Sequence, residues 1–237
     1  MNNYVMRLLL IRHAQSENNQ RWSETRDWTQ READPAITEL GRAQAQALAT
    51  KFANRELPRP DVLLTSLMKR AVQTVAPIAE ALQMPVTGHL AVHEVGGVAA
   101  GTYPRLVAVP GLGRTALSQL CSRLVLPDAV TEDGWYQLPV EEASTAYSRA
   151  KKVLQTLQTK YTNHDLVALV THGIFGQLVL RAALNYPPEA DGSLPTYLNF
   201  ANTGHALLEL PNPDDLTSLI NVHWLNRTDH LSTDQLT

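Results

Sequence analysis

The segment over residues 6–11 is apolar but for Arg7. It stops abruptly at Arg12-His13 and turns polar through Ala14-Gln15-Ser16-Glu17-Asn18-Asn19. A continuous apolar run bounded by polar residues reads as a strand buried on both faces, which requires helices above and below it. Arg12 and His13 then fall at the strand's carboxyl end, where ligand crevices open in α/β sheets. A guanidinium offers permanently charged, planar donors that match phosphate or carboxylate oxygens. A neutral imidazole beside it can serve as nucleophile, base or ligand.

The same pattern recurs twice. Residues 61–65 form a second buried run that leads into Ser66 and a helix over 67–82. Residues 165–170 form a third, ending in Thr171-His172-Gly173 before a helix over 174–184. In the 67–82 helix, capped by Ser66, Val72, Val75, Ile78, Ala79 and Leu82 face the sheet at helical spacing. Pro77 should kink or divide that helix. Arg70 sits one turn in, off the apolar stripe, and by itself reads as a solvated arginine. Upstream, Thr38 caps a helix ending near residue 54, with Ala43, Ala47, Leu48 and Phe52 as its buried stripe. Pro58 and Pro60 stop it. Residues 86–92 alternate loosely as a strand that delivers His93-Glu94. A helix opens at Glu141-Glu142 and runs to about 161, acidic at its start and lysine-bearing later, as the helix dipole favours. Residues 206–210 and 218–226 read as antiparallel edge strands joined by a Pro-Asn-Pro-Asp-Asp hairpin. This order predicts an α/β fold: a three-layer α/β/α sandwich with a mixed, mostly parallel central sheet, in one domain over 1–237.

Two stretches are less regular. Residues 16–35 are polar and carry Trp22 and Trp28, which either shield core from a surface loop or wall a pocket beside Arg12 and His13. Residues 96–139 are rich in glycine and proline, with a short helix near 115–123. They read as an excursion or lid, at about 95–140, rather than a domain with its own core.

A net charge of −3 over 237 residues gives no basic field for nucleic acid or an anionic membrane. A few local arginines can still hold a small anionic substrate. The single cysteine, Cys121, excludes an intrachain disulfide and a cysteine-based metal cluster. No stretch is long and apolar enough to span a membrane, and the amino terminus lacks a signal-peptide pattern, so a cytoplasmic protein is expected. A zinc site at His89, His93 and Glu94 fails on geometry, because four strand residues span roughly 13 Å. No metal and no cofactor are expected.

Three strands thus end on one face with Arg12-His13, with Arg70 one helical turn on, and with Thr171-His172-Gly173, while Glu94 follows a fourth. Phosphoryl transfer through a phosphohistidine needs such a set. One histidine attacks in line, fixed cations balance the equatorial oxygens, and a carboxylic acid serves the leaving alkoxide. Helix N-termini after Ser66 and Gly173 can add backbone donors.

These motifs resemble the histidine phosphatase superfamily, also called phosphoglycerate mutase-like. Its opening Arg-His-Gly-Glu-Thr/Ser with a following asparagine is matched by Arg12, His13, Ser16 and Asn19. Asp34-Pro35, Thr38, Gly41-Arg42-Ala43-Gln44-Ala45, Thr65-Ser66, Arg70-Ala71, Gln73-Thr74 and Thr171-His172-Gly173 follow in the family's order. The resemblance implies that His13 is the phosphorylated nucleophile and that Arg12, Arg70 and His172 form the phosphate pocket. It makes Asn19 a further phosphate contact and Glu94 the acid/base, in a metal-independent phosphomonoester hydrolase acting on a small phosphorylated metabolite.

Two departures stand out: Ala14 places a methyl where the family has glycine, and Gln15 removes a carboxylate. The mechanism asks for a neutral His13, its pKa depressed by the arginines, and for a cationic His172. A cofactor-dependent phosphoglycerate mutase is the first alternative. It is disfavoured because residues 95–113 offer only Tyr103 and Arg105 against a second anionic group. A catalytically silent phosphate- or partner-binding module is the second. Trp22, Tyr103, Arg105, Arg114 and Trp135 are the expected specificity residues on the leaving-group side. The physiological substrate stays open, and so does assembly into a homo-oligomer.

Overall fold

A computed structural model of the chain describes residues 4–102, 104–161, 165–189, 193–194, 196–212 and 219–237. The apolar run is strand β1 (Tyr4–Arg12), and its side chains alternate between two cores as strand geometry requires. Leu9 and Ile11 point to one face, among Leu48, Leu63, Val72 and Val75. Met6, Leu8 and Leu10 point to the other, among Val153, Phe175 and Leu178. All five β1 residues are fully buried. Each such leucine or isoleucine contributes about 1.5–3 kcal/mol on burial, so a slip of one residue would be costly.

Residues 16–35 are not a plain loop. Ser16 caps helix α1 (Glu17–Thr25) in a reciprocal capping box with Asn19. The helix is polar on nearly all sides, which is why no apolar stripe announced it. Helix α2 (Glu39–Ala53) is capped by Thr38 as expected. Its buried face is Gly41, Gln44, Ala45, Leu48, Ala49 and Phe52, with Ala43 exposed. Gln44 is drawn inward because its amide bonds the backbone at Gln15 and Gln235. A side chain at Gly41 would place Cβ 2.2 Å from the Gln15 carbonyl oxygen, so glycine lets α2 press against the end of β1.

Strand β2 (Val62–Ser66) leads to helix α3 (Lys69–Leu82). Pro77 does not divide α3, and Met68 rather than Ser66 occupies its N-cap position. Strand β3 (Val86–His89) is shorter than expected and passes into a 3-10 turn over Leu90–Val92. The excursion holds a small hairpin, β4 (Ala99–Ala100) with β5 (Val107–Ala108), then α4 (Arg114–Leu120) and β6 (Leu124–Val125). β6 pairs with β3, so the excursion returns an edge strand to the main sheet, too short to leave a periodic trace in sequence. Its Val98, Leu117, Val130, Trp135 and Tyr136 join the core on the α2/α3 face.

Helix α5 (Ala143–Lys160), strand β7 (Asp165–Thr171), helix α6 (Gly173–Ala183), and strands β8 (His205–Pro211) and β9 (Asn221–Arg227) complete the described elements. The sheet order is β6-β3-β2-β7-β1-β8-β9. Neighbours from β6 through β1 are parallel, whereas β8 runs antiparallel to both β1 and β9. β8 is therefore an interior strand, not an edge. Part of the expected Pro-Asn-Pro-Asp-Asp hairpin, residues 213–218, lies outside the described residues. The two cores on opposite faces make this a three-layer α/β/α arrangement of a mixed, mostly parallel sheet. Among the described residues no helix is long and apolar enough to cross a membrane. The register pairs Arg12 with Thr171 and Thr65 with Val170, which brings the carboxyl ends of β1, β2 and β7 together.

Candidate active site

His13 leaves the end of β1 and is 3% exposed. Its Nδ1 bonds the Ala14 carbonyl at 2.7 Å, so Nδ1 carries the hydrogen and Nε2 the lone pair. Arg70 Nε donates to that Nε2 at 3.1 Å. Burial, then Arg70 and Arg12, hold the His13 pKa well below its ordinary value, so the ring is neutral. The backbone here is pinned from several sides. Ala14 N donates to Thr74 Oγ1 at 2.9 Å, and Thr74 in turn donates to the Arg70 carbonyl. Asn202 Nδ2 donates to the His13 carbonyl at 2.9 Å.

Arg12 spends Nη1 on the Phe200 carbonyl, and its buried Nε has no partner among the described residues. Gly173 opens α6 beside this guanidinium, where a Cβ would sit 3.3 Å from Nε. Arg70, 7% exposed, lies 3.9 Å from Asp34 Oδ1, which also accepts from Lys69 N. Burial raises the Asp34 pKa and outweighs the opposing pull of Arg70. Asp34 fixes the side of the guanidinium remote from His13, a role the Asp-Pro pair in the sequence signals only weakly.

His172 follows β7 and is fully buried, its ring centroid 5.2 Å from that of His13. Its Nε2 meets Ser66 Oγ at 2.8 Å. Ser66 Oγ also accepts from Met68 N, and its hydroxyl can either donate to Nε2 or accept from it, according to the ring tautomer. The ring's Nδ1 is buried with no partner among the described residues. Burial, then Arg70 and His13, press the His172 pKa well below its ordinary value. Against the expectation of a cationic His172, these surroundings favour the neutral ring while no anion is bound.

Glu94 follows the 3-10 turn after β3. Its Oε1 accepts from Val95 N at 2.9 Å and Phe175 N at 2.8 Å, and Oε2 accepts from Ile174 N at 3.2 Å. The carboxylate thus caps α6 from another part of the chain. Three of the backbone donors expected to be available to an anion at the helix N-termini are already engaged. Ile174 and Phe175 N–H are taken by Glu94, and Lys69 N–H by Asp34. Arg149 on α5 braces Glu94. It forks onto Glu141, donates to the Ala91 and His93 carbonyls at 2.7 and 3.0 Å, and stacks 4.0 Å from the Phe175 ring. Thr171 Oγ1 holds the Val92 carbonyl at 2.8 Å, tying the same turn to β7.

Of these groups Arg12, His13, Arg70 and Glu94 line a cavity of about 320 Å³ together with Ser16, Asn18, Asn19, Trp28, Arg31, Pro35, Leu106 and Ile174, whereas fully buried His172 is not on its wall. Asn19 Oδ1 accepts from Ser16 and Asn202, which leaves its Nδ2 as a donor on the cavity wall. Arg31 and Leu106 were not anticipated from the sequence. Arg31 comes from the loop after α1, held by Nη1 on the Ala99 carbonyl at 2.7 Å.

The expected specificity residues disperse. Trp22 stands behind Trp28, the rings stacked at 4.8 Å. Arg105 is exposed in the turn beside Leu106. Arg114 bonds the carbonyls of Pro127 and Val130, bracing the excursion. Trp135 is buried against His93 and Tyr136. Tyr103 lies outside the described residues. The two departures point elsewhere as well. Ala14 packs with Ile37 and Ala45, and the Gln15 amide oxygen accepts from Thr38 at the start of α2.

A second polar cluster, His205, Asp229 and His230, has ligand-type atoms within 4.8 Å of one another. It does not suit a metal ion. Trp224 Nε1 donates to His205 Nδ1 at 2.9 Å, which puts the ring hydrogen on Nε2, and Asp229 is paired with Arg227 and Lys51.

The model of the histidine phosphatase superfamily (branch 1) matches residues 8–104 and 124–212, and the chain belongs to that superfamily. Solved structures with the same fold include a phosphoserine phosphatase from Entamoeba histolytica in complex with phosphoserine. It is 18% identical, covering 96% of this chain and 100% of that one, with a TM-score of 0.61. A mycobacterial glucosyl-3-phosphoglycerate phosphatase is 18% identical over 94% of this chain and 99% of that one, with a TM-score of 0.59. A 2,3-bisphosphoglycerate-dependent phosphoglycerate mutase from Chelativorans sp. (strain BNC1) is 40% identical over 78 residues. That match spans 33% of this chain and 35% of the mutase.

Proposed function

We propose that the protein is a metal-independent phosphomonoester hydrolase that works through a phosphohistidine on His13. One observation carries the reading: two buried nitrogens without partners among the described residues, Arg12 Nε and His172 Nδ1, belong to the groups around a neutral histidine whose lone pair lies on Nε2, and in this reading His172 Nδ1 carries the ring hydrogen. Burying an unpartnered donor costs about 1–3 kcal/mol, an arrangement that makes sense where a phosphoryl group completes it. Arg70 turns its Nε–H from His13 to a phosphoryl oxygen when substrate enters, which frees the lone pair. Asn19 Nδ2 adds a neutral donor. The charge on the equatorial oxygens is balanced by Arg12 and Arg70.

In the first step the His13 Nε2–phosphorus bond forms as the bond from phosphorus to the ester oxygen breaks, and Glu94 gives its proton to the leaving alkoxide. In the second, water attacks phosphorus, Glu94 takes the water's proton, and the nitrogen–phosphorus bond breaks to release inorganic phosphate. Oε2 of Glu94 is the oxygen suited to carry that proton, since it holds one backbone N–H at 3.2 Å while Oε1 holds two. Arg149 acts as a positioning residue for Glu94.

The local match to a mutase supports a second reading, phosphoryl transfer between phosphoglycerates. An aryl phosphate assay with chelator present, wild type beside His13→Ala, tests the proposal. Turnover that survives chelator and vanishes in the variant supports it. A wild type that interconverts phosphoglycerates but leaves aryl phosphate intact overturns it in favour of the mutase.

A further inference from the structure

The far end of the cavity is built differently from the phosphate end. Trp28 is 42% exposed although it lines the cavity with His13 and Arg70, so it does not serve as core. One face of its indole rests on Trp22, the rings only 11° from parallel, and Arg26 Cζ lies 5.7 Å from the Trp22 ring. Among the described residues Trp28 has no ring partner other than Trp22. Leu106 and Pro35 share the wall, and Arg31, anchored by one nitrogen on Ala99, keeps further N–H donors for the cavity. A flat, pre-stacked indole beside a guanidinium fits a planar ring that bears hydrogen-bond acceptors. It gives little to a short polar chain.

We propose that the substrate's leaving group carries a heteroaromatic ring, as in a nucleoside 5′-monophosphate, which stacks on Trp28 and is met by Arg31. This rests on the phosphatase reading and adds the substrate class. The test compares a purine nucleoside 5′-monophosphate with ribose 5-phosphate. The two share the 5′-alkoxide leaving group and differ in the base, so their ratio isolates the contribution of the ring. The expected kcat/KM favours the nucleotide by about tenfold, through KM, the scale of one base–aromatic stack. Trp28→Ala should bring the ratio to about one, and Trp28→Tyr should retain most of it. Equal use of the two esters by the wild type overturns the stacking proposal and leaves the phosphatase reading standing. A nucleotide preference that persists in Trp28→Ala overturns it too. Hydrolysis of neither ester, nor of an aryl phosphate, counts against the phosphatase reading itself.

Discussion

The two ends of one cavity follow different rules. At the end where we propose that phosphate binds, His13 and Arg70, with His172 buried close by, stand at the termini of packed strands and helices, and neighbouring backbone groups are fixed by the side chains of Thr74, Asn202 and Asp34. At the leaving-group end, Trp28, Arg31 and Leu106 come from loops and are tied down by a few bonds. Rigid donors suit a phosphoryl group, whose geometry is common to every ester, and loops suit the part of the substrate that differs.

Substitutions at the phosphate end should be the most damaging. His13→Ala should lower kcat/KM for an aryl phosphate by about 10³-fold or more, since the proposed nucleophile is gone. His172→Ala should cost about 10²–10³-fold, the scale of one lost oxyanion-type donor, measured in the same assay. If its effect were within a few-fold, the two ends would not differ as described.

The buried histidines set the acid limit. Burial holds His93 to about 4, His205 to about 3 and His230 to about 4. Below pH about 6.5 the unfolded chain binds protons that the folded chain refuses, so stability falls as pH drops from there towards 4, by an amount on the order of a few kcal/mol. Urea midpoints measured across that window should decline steadily, with a plateau above it. Activity should behave differently. His13 stays neutral well below its ordinary pKa, so kcat/KM should show no acid limb near pH 6.5.

Effects shrink away from the phosphorus. Arg149→Met loosens the support of Glu94 and should lower kcat by about tenfold for alkyl esters, less for aryl esters that need little acid assistance, with KM nearly unchanged. A uniform loss across leaving groups would mark Arg149 as merely structural. Gln15→Glu restores the family's residue at a position facing Thr38 instead of the cavity, so kcat/KM should stay within about twofold.

The phosphate end was legible in sequence for the same reason that it is rigid. A strand buried on both faces announces itself as an apolar run, and its carboxyl end fixes where Arg12, His13 and His172 must lie. Arg70 required the helix after β2 to be placed correctly, and the apolar stripe through Val72, Val75 and Ile78 did that. Ala14 and Gln15 stand out in sequence as departures from the family's opening pattern, yet at a strand's end successive side chains diverge, and these two pack on Ile37 and Ala45 and on Thr38. The polar helix α1, the two-residue strand β6 and the loop residue Arg31 left no periodic signal. Trp135 and Arg114 carry chemistry suited to a site but serve packing and bracing, a choice set by tertiary contacts that composition does not encode.

The central claim is the covalent bond between phosphorus and His13 Nε2. Rapid quenching of a reaction with phosphorus-labelled aryl phosphate, followed by peptide mapping under alkaline conditions, tests it most directly. The account predicts an acid-labile, base-stable label on His13 that forms and decays at rates consistent with turnover and is lost in His13→Ala. Label on another residue, or turnover with no labelled intermediate when its decay is slow enough to observe, would contradict it.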